Sequence, residues 1–446
     1  MQTKPVRLTA QWLGLLTAAL ALVACSGGSG APPATNTPPQ VTAPVIVTQP
    51  AATSVTAGNT ASFTVTASGT ATLSYLWQQS TDAGSSWGSA TGAATSTSYI
   101  TPINTLTQSG TRYRVQVSNS AGTITSSVAM LTVTAPASTE RQVNATTTDA
   151  AITAVPASAE APHVAINPSP AVSARGKLLV FLPGTQGRPS QYSYLLRAGA
   201  ARGFHAIGLN YFNQTAMGAL CQLSVDPDCY WQARNQVVFG SGLPVTGQTA
   251  VTPADSIVNR LNKLLIWLNT TQPGEGWGQY LLPANTVDWS KVVLAGHSQG
   301  GGHVAVLVKS VALARAVYFS SPEDWNEVTD KPATWIALRA NVTPASLQFG
   351  FGSDDDILVP NAHAFVHWTA LGLTKPASGP VLVDSTTSYA GSQQLRTALP
   401  YNPTSNALTT TLKYHGVTVV DVSTPVDSSG KPLFDTNGVW AYLCFQ

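Results

Sequence analysis

A serine set between glycines, Gly296-His297-Ser298-Gln299-Gly300, ends the apolar run Lys291-Val292-Val293-Leu294-Ala295 and precedes a helix-compatible run from His303 to Val311. A strand that turns sharply into a helix needs glycines where the two backbones approach, and such a turn pushes the serine oxygen out at the carboxyl edge of a sheet. A serine hydroxyl is a poor nucleophile at neutral pH. A base must take its proton, and an anion must hold that base in one tautomer. Two later segments offer those partners. Asp354, Asp355 and Asp356 follow Phe349-Gly350-Phe351-Gly352-Ser353, and Tyr414-His415-Gly416 occupies a loop-like position before Val417 to Val422. The chemistry these residue types permit is acyl transfer. Read alone, three adjacent aspartates could also hold calcium or merely be solvated. His363 and His367, four apart on a helical stretch, are expected to face solvent or core rather than Ser298.

From about residue 140 to the end, these segments resemble the α/β-hydrolase superfamily, in its esterase, lipase and cutinase group, where the chain order is serine, acid, histidine. The resemblance implies Ser298 as nucleophile and His415 as base. The family's G-x-x-D pattern counts from Gly352 to Asp355, whereas its D-x-x-V-P pattern counts back from Val359-Pro360 to Asp356. Asp356 is taken as the acid, with Asp355 as the alternative. Acyl transfer also needs donors aimed at the developing oxyanion. The resemblance assigns these to the backbone N–H of Gln299 and of Thr185. Thr185 lies in Pro183-Gly184-Thr185-Gln186-Gly187, where Pro183 replaces the histidine of the family's loop. No cofactor and no metal are called for.

The elements that must position these groups follow from the pattern of apolar residues. Lys177-Leu178-Leu179-Val180-Phe181-Leu182 is a continuous apolar run, as expected of a strand buried on both faces of a parallel sheet. Further short runs at His205 to Leu209, Val292 to Ala295, Ala316 to Phe319, Leu347 to Phe351 and Val381 to Val383 alternate with helical stretches, which argues a mostly parallel sheet flanked by helices. One helix is predicted to open at Thr252-Pro253-Ala254-Asp255 and to carry Ile257, Leu261, Leu264, Leu265 and Leu268 on one face, with Pro253 in its first turn. With Val381 to Val383 as the last core strand, His415 falls unusually far downstream. Residues 211–247 form a long insertion, read as a lid or substrate wall lined by Phe212, Tyr230 and Trp231, or else as a satellite core. Cys221 and Cys229, separated by a turn-prone Asp226-Pro227-Asp228, are expected to pair, leaving Cys444 as the odd thiol.

Upstream the composition changes. Lys4 and Arg7 precede an apolar run from Trp12 to Ala24, the layout of a secretory signal peptide. Leu22-Val23-Ala24-Cys25 resembles the bacterial lipobox, which implies acylation of Cys25, and Ser26 after it implies the outer membrane. Residues 25–43 read as a Pro, Thr, Ser and Gly-rich tether. Between 44 and 134 short alternating runs separated by turns read as a β-sandwich. This segment resembles a bacterial immunoglobulin-like domain, with Trp77 as the core tryptophan and Tyr113 as the corner tyrosine. Val65 and Val115 stand where that family has its cysteines.

The fold class is therefore multidomain. Residues 1–24 are a signal peptide, 25–43 a tether, 44–134 an all-β immunoglobulin-like sandwich and 140–446 an α/β-hydrolase domain. Only 9% of residues are charged and the formal net charge is +2, with no run of Lys and Arg, so nucleic acid is excluded as a partner. The expected activity is cleavage of small-molecule or polymeric carboxylic esters by an exported, membrane-anchored enzyme. An amidase or peptidase using the same residues, and a non-catalytic adhesion lipoprotein on the same scaffold, are the alternatives. For the sandwich, a polysaccharide or cell-surface ligand stands beside a plain spacer role.

Overall fold

The computed structural model describes residues 40–92, 94–134, 137–153, 161–404 and 409–446. Cys25, the signal segment and nearly all of the tether lie outside the described residues. No helix among the described residues is long and apolar enough to cross a membrane.

Residues 45–134 form a β-sandwich. One six-stranded sheet is built around Ser74–Ser80, Arg112–Asn119 and Ala129–Thr134, and the pairs Val45–Thr48 with Thr66–Ser68 and Ser62–Thr64 with Ser98–Ile100 lie outside it. Period-two alternation turns Tyr113, Val115 and Val117 inward while Arg112, Arg114 and Gln116 stay partly exposed. Val115 stands directly opposite Trp77, which is fully buried and packs against Tyr99 at 5.9 Å between ring centroids. Val65 is buried too, so apolar and aromatic packing holds the sandwich where a disulfide would otherwise join its sheets.

Beyond the sandwich a nine-stranded sheet forms from β1 (Thr139–Val143), β2 (His163–Asn167), β3 (Leu178–Leu182), β4 (His205–Gly208), β5 (Val292–His297), β6 (Arg315–Phe319), β7 (Gln348–Ser353), β8 (Val381–Leu382) and β9 (Gln394–Thr397). Their order across the sheet is β1-β2-β4-β3-β5-β6-β7-β9-β8; β2 runs antiparallel to its neighbours and the pairs from β4 to β8 are parallel. The central strand shows why the run at 178–182 is apolar throughout. Leu178, Val180 and Leu182 pack in one core with Leu261, Leu264, Leu265 and Leu268. Leu179 and Phe181 pack in the other with Leu195, Leu196, Trp440 and Leu443. Each such side chain contributes about 1.5–3 kcal/mol by leaving water. Because β3 sits between β4 and β5, chain connections diverge at its carboxyl end and leave a crevice there, where open α/β sheets bind ligands.

Two elements depart from the sequence expectation. The helix α4 (Ile257–Thr271; α1 to α3 are Ser193–Ala200, Met217–Cys221 and Cys229–Phe239) starts after Ser256, whose Oγ caps Asn259 N–H, so Pro253 lies outside it. Thr252 and Asp255 form a separate turn, because the Asp255 carboxylate binds Thr252 Oγ1, the Thr153 amide and Arg260 instead of extending the helix. The last strand beside β7 is β9, and Val381–Leu382 is the edge. The sequence of β9, Gln-Leu-Arg-Thr, hides it: Gln394 is wholly buried and its Nε2 donates to Leu373 O at 2.8 Å. His415 thus follows a strand ending at Thr397, not Val383, which removes its apparent displacement.

Candidate active site

The segments after β3, β5, β7 and β9 carry the candidate residues Thr185, Ser298, Asp356 and His415 to the carboxyl edge of the sheet. Ser298 joins β5 to α5 (Gln299–Val308) with φ 53° and ψ −120°, a conformation that costs a non-glycine residue roughly 1–3 kcal/mol. The surrounding glycines make that turn feasible. A Cβ on Gly300 would lie 2.1 Å from Leu182 O, and one on Gly296 would lie 2.5 Å from the Gly300 backbone. Ser298 N–H donates to Phe319 O at 3.0 Å, which ties the turn to β6.

Asp356 and His415 meet directly, with Nδ1 of the histidine 2.8 Å from Oδ2 of the carboxylate. The other carboxylate oxygen accepts from the Leu358 and Val359 amides at 3.0 and 3.1 Å. Burial pushes the Asp356 carboxyl up, but His415 and these amides outweigh it and hold the group below the ordinary carboxylate range. A carboxylate that accepts from Nδ1–H leaves Nε2 of His415 free as a base. Asp355 is exposed and has no such contact, while Asp354 binds Arg396 and Asn361. His415 lies in the last turn of a helix, Thr410–Gly416, rather than in a loop. Ser298 and His415 both border a cavity of about 550 Å³, as do Thr185 and Gln299.

Around that cavity the loop after β3 is fully tied down. Gly184 N–H donates to the Tyr192 hydroxyl, Gln186 N–H to Asn213 O and Gly187 N–H to Gly184 O, and Asn213 Nδ2 binds the carbonyls of Gly184 and Gly187. The amides of Thr185 and Gln299 have no acceptor among the described residues, and Gln299 N–H opens a helix, where the first amides lack intrahelical partners. Thr185 Oγ1 donates to Gln299 Oε1 at 2.7 Å, which fixes the two residues against each other.

Three contributors escaped the sequence reading. His297 Nε2–H donates to His415 O at 2.9 Å, and its Nδ1 accepts from the Tyr192 hydroxyl at 3.1 Å. Because an amide can only donate and a carbonyl can only accept, the chain from Gly184 N–H through Tyr192 and His297 to His415 C=O has a single polarity. Burial pushes His297 down to about 3, so it stays neutral. Arg234 on α3 donates to Gln299 O at 3.0 Å and pairs with Asp324, which also accepts from Trp335 Nε1; both charged side chains are buried. The His at the second position of the glycine-serine motif was the only sequence signal for any of these.

Other candidates sit elsewhere. His363 stacks on Trp325 at 3.7 Å and binds Glu323, and His367 is buried against the carbonyls of His363 and Asp324; neither borders the cavity. In the insertion, Met217, Gly218 and Ala219 wall the cavity. The aromatic residues expected there turn away. Trp231 packs on Trp335 and Tyr230 donates to Trp325 O, because the helix α3 directs them toward neighbouring elements, and Phe212, ahead of that helix, packs against the main core. Cys221 and Cys229 form a disulfide with Cα atoms 5.6 Å apart, and Cys444 is free and buried. Among the described residues no three His, Cys, Asp or Glu side chains converge as a metal site.

No protein-family model matches the chain and no curated protein is significantly similar to it. Solved structures similar to it cover about a fifth of its length. Titin domain M7 is 26% identical over 22% of this chain and all of that one, with a TM-score of 0.19. Sidekick-1 immunoglobulin domains 1–5 are 23% identical over 21% of this chain at a TM-score of 0.18, and the N-terminal four immunoglobulin domains of Dscam1 isoform 6.9 are 21% identical over 23% at 0.21. The chain spans only 20% and 28% of these last two.

Proposed function

We propose that residues 139–446 are an α/β-hydrolase domain that cleaves carboxylic esters through an acyl-enzyme on Ser298. The observation that carries this reading is the Asp356–His415 hydrogen bond on a cavity shared with a serine held at positive φ between strand and helix. The strand order, with its single antiparallel strand between β1 and β4, supports it. In this mechanism Ser298 Oγ attacks the ester carbonyl carbon as its proton passes to His415 Nε2. The oxyanion is held by the Thr185 and Gln299 amides. Collapse of the tetrahedral species breaks the C–O bond, and the alcohol leaves with the proton from His415. Water, deprotonated by the same nitrogen, then releases the acid and restores Ser298.

Labelling of the folded protein by a fluorophosphonate, which phosphonylates an activated serine, is expected for the wild type and absent in Ser298→Ala. A folded wild type that takes no label would overturn the reading in favour of a non-catalytic binding protein. Hydrolysis of a nitrophenyl ester without that of the matching anilide separates an esterase from an amidase. Export and anchoring belong to the same proposal through the Leu22-Val23-Ala24-Cys25 motif. Incorporation of labelled palmitate is expected in cells and should vanish in Cys25→Ala; equal incorporation in the variant would refute acylation at Cys25.

A further inference from the structure

A second cavity, of about 610 Å³, lies behind α2 and the disulfide, within the range of roughly 300–1,000 Å³ typical of small-molecule sites. Ser298, Asp356 and His415 do not border it. Its walls are mainly apolar: Ile336 and Ala333 are buried within them, and Tyr230 and His367 also line it. Its mouth is more unusual. Val225, Leu338 and Val328 there are 93%, 80% and 61% exposed. Large aliphatic groups clustered in water at a cavity opening mark a binding site rather than ordinary surface.

The charges at this mouth say which end of a ligand would face water. Asp226 is committed, accepting from Asp228 N–H at 2.9 Å and Gln232 Nε2 at 3.1 Å. Lys331 is exposed and uncommitted; the lysines with ion-pair partners among the described residues are Lys263 and Lys291. An apolar cavity whose rim offers one ammonium with free donors, beside a carboxylate whose oxygens are already occupied, suits a molecule with a hydrocarbon body and a single anionic head.

We propose that this cavity binds the aliphatic chain of a long-chain monocarboxylate, with the carboxylate on Lys331. The short helix α2 is a wall common to both cavities, since Met217 and Ala219 face the catalytic one and Cys221 the second. The bound chain therefore lies against the back of the catalytic wall, not in the acyl site.

Calorimetric titration of the full chain with octanoate, decanoate and laurate tests this without any turnover, so its failure and that of the hydrolase reading are separable. Affinity is expected to rise roughly three- to fourfold per added methylene until the cavity is full. Ala337→Trp, at an exposed position lining the cavity, should abolish binding, whereas Ala219→Trp, which fills the catalytic cavity, should preserve it. Lys331→Ala should weaken the carboxylates about threefold, as for an exposed ion pair, and leave decanol unchanged. Circular dichroism verifies that each variant is folded. The proposal is overturned if wild type binds none of these chains, if folded Ala337→Trp binds as well as wild type, or if only Ala219→Trp loses binding.

Discussion

Replacing Asp356 with Asn is expected to lower kcat for ester hydrolysis by about 10⁴-fold, while Asp355→Asn changes it less than about twofold. The difference lies in what each side chain touches. Asp356 accepts three hydrogen bonds, one from His415 and two from the Leu358 and Val359 amides. An asparagine has one acceptor oxygen and one donor nitrogen for the same three donors. If the oxygen satisfies the amides, the nitrogen faces His415 Nδ1 and forces the tautomer with its proton on Nε2, which cannot act as a base. Asp355 is exposed and contributes nothing to this contact. Steady-state kinetics on both variants, with thermal melts to verify folding, check the expectation. A larger loss in Asp355→Asn would reassign the acid.

Two buried histidines are expected to contribute stability that is lost as pH drops from about 6.5 toward 3, at about 1.4 kcal/mol per pH unit each, against an opposing contribution from Glu323 and Asp421, whose carboxyls burial pushes up to about 9 and about 6. Burial pushes both His163 and His297 down to about 3, with Arg260 adding to the effect at His163 and His415 at His297. The unfolded chain protonates such groups near pH 6.5, so within this window it binds more protons than the folded state. The contribution of these two groups therefore rises with pH, is complete above about 6.5 and is progressively lost toward 3. Because the carboxyls oppose the histidines, the difference between proteins reports the effect: across pH 4 to 7 the thermal midpoint of His163→Phe, which keeps a ring in the site without a titrating nitrogen, should gain less with rising pH than that of the wild type. Parallel wild-type and His163→Phe profiles would show that the His163 ring is not held neutral.

Those residues also show what the sequence could and could not convey. The turn at Ser298 was legible because a β-rich apolar run, closely spaced glycines and a helical run are all local signals. Asp356 was separable from its neighbours through Val359-Pro360, since the amide of Val359 is one of the donors that fixes the carboxylate. Strand β9 was not legible, because its interior position is met by a glutamine whose hydrogen bonds, not its hydrophobicity, permit burial. Nor were Tyr192 and Arg234. Tyr192 lies 105 positions from its partner His297, and Arg234 lies 90 from Asp324; no periodicity reports contacts of that span. The aromatic residues of the insertion misled for a related reason. Their type indicated burial but not which cavity or core would receive them.

The single-polarity chain from Gly184 to His415 constrains evolution at one position from the inside. His297 touches Tyr192 through an acceptor and the His415 carbonyl through a donor, at opposite corners of one rigid ring. A neutral imidazole offers an acceptor and a donor that diverge from one rigid ring, with no rotatable bond between them. A substitution there would loosen the loop that carries Thr185 and the helix end that carries His415 in the same step, so the two are held in place together. Met217 to Ala219 wall the same cavity without taking part in that chain, so the shape of the cavity can vary there while the chain is kept.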